Sequence, residues 1–108
     1  MSRTKIRAKL TDGATRLRLL IQHPMHTGRQ RDPDTGVIIP PHYIKRLTVE
    51  HKGERIVDCQ LSTAVSRDPH LAFQFAGGTE GDVVRVTWED NLGEKDQQET
   101  VIHPSKAE

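Results

Sequence analysis

The chain has one cysteine, Cys59, among its 108 residues. No internal disulfide can staple the fold, and cysteine usage fixes no redox compartment. Excess charge is also missing. Sixteen Lys plus Arg stand against fifteen Asp plus Glu, a formal charge of +1, so no overall field draws the chain to nucleic acid or to an anionic membrane. Neither is expected as a partner. Apolar runs are short: the amino terminus leads straight into a polar alternation with no secretory apolar segment, and nothing approaches the ~18 apolar residues of a membrane span. No stretch of helical period is long enough to matter.

What is present is alternation. Ile6, Ala8 and Leu10 alternate with Lys5, Arg7 and Lys9, and Leu17, Leu19 and Ile21 with Arg16 and Arg18, the period-2 signature of strands with one buried face. The clustered early cations therefore read as the wet face of two strands rather than a nucleic-acid patch. Asp12-Gly13 turns the first pair. Leu47 and Val49, then Val57, Cys59 and Leu61 across a turn at His51-Lys52-Gly53-Glu54, form a second hairpin. Leu71, Phe73 and Phe75 alternate strictly, as do Val84, Val86 and Trp88. Asp90-Asn91-Leu92-Gly93 reads as a turn into a short last strand near Thr100 to Ile102, with the tail from His103 frayed. The expectation is one domain over residues 1–108, an all-β, immunoglobulin-like sandwich of about seven strands. Its core would be Leu19, Ile21, Leu47, Val49, Phe73, Phe75, Val84, Val86 and Trp88.

The alternation fails from Gln22 to Ile44. That stretch holds three of the six histidines and four of the six prolines, and Pro24 ends a strand because it has no amide hydrogen for a ladder. Residues 26–39 read as a long connection with turn chemistry and no period, a length that is often functional in a compact domain. Ser62 to Pro69 is a second polar crossing.

The residues that carry chemistry are sparse. Cys59 shares a strand face with Val57 and Leu61, where a thiol behaves as a small hydrophobe. No Ser/His/Asp constellation or nucleophile elbow is present. No C-x-x-C or H-E-x-x-H spacing is found; His23 and His26 are three apart, His42 lies just beyond the long connection, and the remaining histidines, His51, His70 and His103, fall at turns or strand ends. Neither a cofactor nor a metal is expected on this count.

His23-Pro24-Met25, followed later by His42-Tyr43-Ile44, resembles the motif of superoxide reductases, immunoglobulin-like β proteins in which histidines and one cysteine hold a non-haem iron. Carried over, His23 and His42 would be two ligands. No histidine precedes His23, however, and Cys59 is followed by Gln60-Leu61-Ser62 where that family has Cys-x-x-His. An iron enzyme is accordingly the alternative reading, since two or three donors do not reproduce its five-ligand site.

A second resemblance covers about residues 5 to 102. His23-Pro24-Met25-His26-Thr27-Gly28, Arg29-Gln30-Arg31-Asp32, Gly36 through Ile44, Ser66-Arg67-Asp68-Pro69, Gly81-Asp82, Val86-Thr87-Trp88 and Asp90-Asn91-Leu92-Gly93 are similar, in order, to SoxZ, the Z subunit family of sulfur-oxidation carrier complexes. The resemblance implies a non-catalytic subunit in the periplasm, paired with SoxY, whose C-terminal cysteine arm carries the sulfur intermediates of thiosulfate oxidation. It implies indirect contact with the other Sox enzymes that process that arm. No Gly-Gly-Cys-Gly-Gly arm is seen here, so the chain is not expected to carry sulfur itself, and export would come with a partner that bears the signal.

Interfaces favour aromatic, Met and Arg residues at their centres. His23, Met25, Arg29, His42, Tyr43 and Ile44 are therefore the expected partner-binding residues.

Overall fold

The computed structural model describes residues 3–62 and 65–104. Strand β1 (Thr4–Thr11) meets β2 (Ala14–Ile21) through Asp12-Gly13, and β3 (Ile44–His51) meets β4 (Glu54–Gln60) through Lys52-Gly53. Both turns hold positive φ at their two central residues, 51° and 78° in the first and 52° and 81° in the second. That is the two-residue turn whose twist matches the flanking strands, and glycine at its second position adopts it without strain. The remaining strands are β5 (His70–Ala76), β6 (Val83–Asp90), β7 (Lys95–Val101) and β8 (His103–Pro104). They form two four-stranded sheets, ordered β5-β2-β1-β8 and β4-β3-β6-β7, packed as a sandwich with no helix among the described residues.

The core follows the alternation. Leu17, Leu19 and Ile21 of β2, Leu47 and Val49 of β3, and Val84, Val86 and Trp88 of β6 are all buried. Phe73 and Phe75 pack against this cluster but are only half-buried, because β5 is an edge strand with a neighbour on one side. Cys59 is half-buried on β4, the opposing edge, for the same reason. Ala8, Met25, Ile44 and Ile102 complete the core. The sheets are also tied by polar links: Trp88 Nε1 donates to Thr4 Oγ1 at 2.8 Å, which donates to Asp96 Oδ2 at 2.8 Å. The Arg3 guanidinium lies 5.2 Å from the Trp88 ring centroid, a cation–π contact that caps the same corner.

Two elements differ from the sequence expectation. The last long strand runs Lys95–Val101, well before Thr100. The tail does not fray at His103: burial of Ile102 draws His103 and Pro104 into parallel pairing with Lys9 and Leu10 of β1. Residues 63–64 of the second polar crossing and residues 105–108 of the tail lie outside the described part.

Gly78 is the tightest point of the fold. It sits at φ +95°, and a Cβ there would collide with Thr15 Oγ1 and come within 3.1 Å of Ile102 Cδ1. Thr15 cannot simply withdraw, since it is fully buried and donates to Gly77 O at 2.8 Å. Gly78→Ala is expected to lower stability by about 1–3 kcal/mol, seen as a lower urea midpoint at unchanged m value. Gly36→Ala, also at positive φ but with open space around it, should cost less.

Candidate functional site

Between β2 and β3 the chain runs out and back as a paired arm. His26 and His42 exchange both backbone hydrogen bonds, at 2.7 and 3.0 Å, and farther out Ile39 N donates to Gln30 O at 2.8 Å and Asp32 N to Val37 O at 2.9 Å. The tip is closed by Gly36 N on Asp32 O, with Asp32 Oδ1 accepting from Asp34 N and Thr35 N, a side-chain turn typical of Asp. The long connection is thus ordered, although it forms only isolated bridges and no regular strand. Val37 and Ile38 are exposed near its tip, at 64% and 50%.

The root of the arm is a buried polar network. His23 is 1% exposed, and its Nδ1 accepts from Met25 N at 3.1 Å. An imidazole nitrogen that accepts has no proton, so the proton of neutral His23 is on Nε2, which donates to Asp90 Oδ2 at 3.0 Å. His42 Nε2 reaches the same oxygen at 2.7 Å. Asp90 Oδ1 accepts from Leu92 N at 3.0 Å and Glu94 N at 2.9 Å. Burial pushes the Asp90 carboxyl up, but hydrogen bonds from His23, His42 and the two backbone amides outweigh it and hold the group at about 2. Burial dominates at His23 and lowers its pKa below 6.5, against the raising effect of the Asp90 hydrogen bond. The root therefore holds a carboxylate bound by a neutral His23.

Further contacts lock this root in place. Met25, at φ 50°, puts its Sδ 3.3 Å from Ile44 N as acceptor. Asp68 Oδ1 accepts from His23 N at 3.0 Å, while Asp68 N donates to His23 O at 2.9 Å. The His23 ring stands edge-on to Trp88 at 5.5 Å and to His42 at 4.5 Å. The second polar crossing thereby meets the first.

The structure divides the six residues expected to meet a partner. His23, Met25 and Ile44 are buried inside the chain itself, so they shape the arm and offer no surface of their own. Arg29 is exposed, and His42 and Tyr43 are half-exposed. The sequence reading gives neither Asp90 nor the arm's tip a role at the site. Asp90 had a signal: it continues the inward parity of Val84, Val86 and Trp88, which puts a carboxylate at a core position. Val37 and Ile38 had none beyond being apolar in a polar loop.

His23, His42, Asp90 and Glu94 bring one donor atom each within 4.8 Å of one another, a group with metal-ligand chemistry. The hydrogen bonds argue against that use. With Nδ1 taken up by the Met25 amide, His23 can present a lone pair at Nε2 only as an imidazolate. Cys59 is not in the group. The donor set does not fit the iron site of the alternative reading.

An all-β two-sheet sandwich whose buried histidine–carboxylate network anchors an ordered arm outside the sheets is the class of protein that fold and site define. The family described as Sulphur oxidation protein SoxZ matches residues 4–101, and the chain belongs to that family, which places it in sulfur oxidation. No curated protein sequence matches it.

Proposed function

We propose that this chain is the non-catalytic subunit of a SoxYZ carrier in the periplasm: it binds SoxY and presents the partner's cysteine arm, which carries sulfur during thiosulfate oxidation, to the enzymes that process it. The observation that carries this reading is the arm itself. A segment held out by backbone pairing, with Val37 and Ile38 exposed at its tip, is a surface suited to a second chain, since burying such residues is the main gain in association. Arg29 and Tyr43 lie on the same excursion. Beside its root a depression of about 640 Å³ is lined by Pro24, Met25, His26 and Thr27 together with Val65 and Arg67, room for an extended peptide segment.

The proposal accords with the lone thiol: Cys59 is half-buried on an edge strand, with its Sγ 4.0 Å from Gln60 O, rather than free on a swinging segment. Among the described residues no helix is long and apolar enough to cross a membrane.

Val37→Asp with Ile38→Asp is expected to weaken SoxY binding by roughly 10- to 30-fold, about 1.4–2 kcal/mol, in calorimetric titration, with an unchanged unfolding midpoint for the free subunit. Tyr43→Ala should weaken it less. Wild-type affinity in both variants removes the arm from the interface.

A further inference from the structure

The two sheets carry opposite charge, which the overall +1 conceals. Strands β1, β2, β5 and β8 contain five cationic residues, Lys5, Arg7, Lys9, Arg16 and Arg18, and not one Asp or Glu. The four strands of the other sheet contain seven acidic residues and five cationic ones. On that second sheet the arginines are matched: Arg46 and Arg55 to Asp58, at 2.8 and 3.5 Å, and Arg85 to Glu99 at 2.9 Å. On the first sheet none of the five cations has an ion-pair partner among the described residues.

The cations of the first sheet also face one another. The register sets Arg7 directly opposite Arg18 and Lys9 directly opposite Arg16, and all five are exposed. Like charges in such cross-strand pairs repel and destabilise a sheet. Their neighbours across the next strand, Ala72 and Gln74, neutralise nothing. Arg7, Lys9, Arg16 and Arg18 line a depression of about 280 Å³, so the fold gathers the charge into a shallow cradle instead of dispersing it.

We infer that this face is a docking surface for an acidic protein surface that presents several carboxylates, a contact independent of the SoxY reading. Two rows of cations on two neighbouring strands span more than one small anion can neutralise, and bidentate Arg–carboxylate pairing suits this chemistry. Single-stranded nucleic acid would need aromatic stacking platforms, whereas Phe73 and Phe75 turn inward to the core. A membrane would need an apolar wedge, and Leu20, opposite Lys5, is the single large aliphatic side chain exposed on β1 and β2. Such a contact speeds encounter and fixes orientation more than it adds affinity.

Labelled poly-L-glutamate tests this, with phosphatidylserine vesicles and duplex DNA as parallel probes. Poly-L-glutamate is expected to bind at low salt and to be released as salt rises. Arg16→Gln with Arg18→Gln should weaken binding by about tenfold, while Arg46→Gln with Arg85→Gln, the same change in net charge on the other sheet, should leave it unchanged. The first pair should also raise the unfolding temperature slightly, because repulsion between facing cations is relieved. Equal weakening by both pairs, no binding of poly-L-glutamate, or tighter binding of vesicles or DNA than of the peptide would each overturn the inference.

Discussion

Asp90→Ala is expected to lower folding stability by about 3–5 kcal/mol, the range for removing one partner of a buried charged network. The reason lies in what is left behind. The His23 Nε2–H, the Leu92 and Glu94 amides and the His42 Nε2–H all donate to this one carboxylate. His23 has no exposed surface on its side chain, so water cannot replace the lost acceptor there, and each orphaned buried donor costs about 1–3 kcal/mol. His42, at 19% side-chain exposure, can recover a water. Its loss should therefore hurt less: His42→Ala is expected to cost about 1–2 kcal/mol.

Asp90→Asn is the sharper version. An amide presents one acceptor end and one donor end. Whichever way it turns, its NH₂ meets either the imidazole Nε2–H groups or the two backbone amides. His42 can relieve the clash by changing tautomer, but the Met25 amide on Nδ1 fixes His23. Asn at this position should therefore retain little of the stability that Asp gives, despite its near-identical shape. Urea unfolding of the three variants measures this, and a loss below about 1 kcal/mol in Asp90→Ala would show that the network is not holding the fold. Amide exchange reports the functional consequence. The His26 and His42 amides pair with each other's carbonyls just outside the network, and they should exchange faster in Asp90→Asn if the network anchors the arm.

Asp90 also shows where sequence reasoning stopped short. The strand pattern was legible because each sheet has one wet face and one dry face, and a period of 2 is the imprint of that asymmetry. Both two-residue turns were legible because each carries a glycine, which takes left-handed backbone without strain, preceded in the first by Asp12. Asp90 was assigned to the hairpin turn, although it shares the buried parity of Val84, Val86 and Trp88; polarity outweighed position. The arm left no period to detect because it forms no regular strand and its outer part is largely exposed, so nothing selects alternating side chains. The pairing of β8 was hidden for a different reason. Two residues carry no pattern, and their placement is decided by burial of Ile102 from the turn at Gly78. Among the residues expected to meet a partner, type alone did not separate Met25 and Ile44, which pack inward, from Arg29, which is exposed, and Tyr43, which is half-exposed.

Acid should loosen the same network in two stages, and the direction of each follows from where the group titrates in the fold. His23 has a folded pKa below its ordinary 6.5, so the unfolded chain takes up its proton first. Its contribution is complete above 6.5 and declines as pH falls from there toward the folded value. Asp90 is lowered from 3.8 to about 2, so its contribution holds above 3.8 and is lost between there and about 2. A difference of that size between the unfolded and folded carboxyl makes the second stage worth on the order of 2 kcal/mol, undiminished by solvent because the carboxylate is fully buried. Asp82, lowered by the His51 hydrogen bond, adds in the same direction but is more exposed and more screened. Urea midpoints between pH 8 and pH 2 are thus expected to fall monotonically, with Asp90→Asn losing most of the drop below pH 4 and keeping a decline that begins near 6.5. The opposite outcome between pH 7 and 5, stability rising as protons are added, would mean that His23 is charged in the fold and that its bond to Asp90 is an ion pair. Its Nδ1 would then have to donate and could no longer accept the Met25 amide, so the backbone at Met25 would have to leave its left-handed conformation and carry the root of the arm with it.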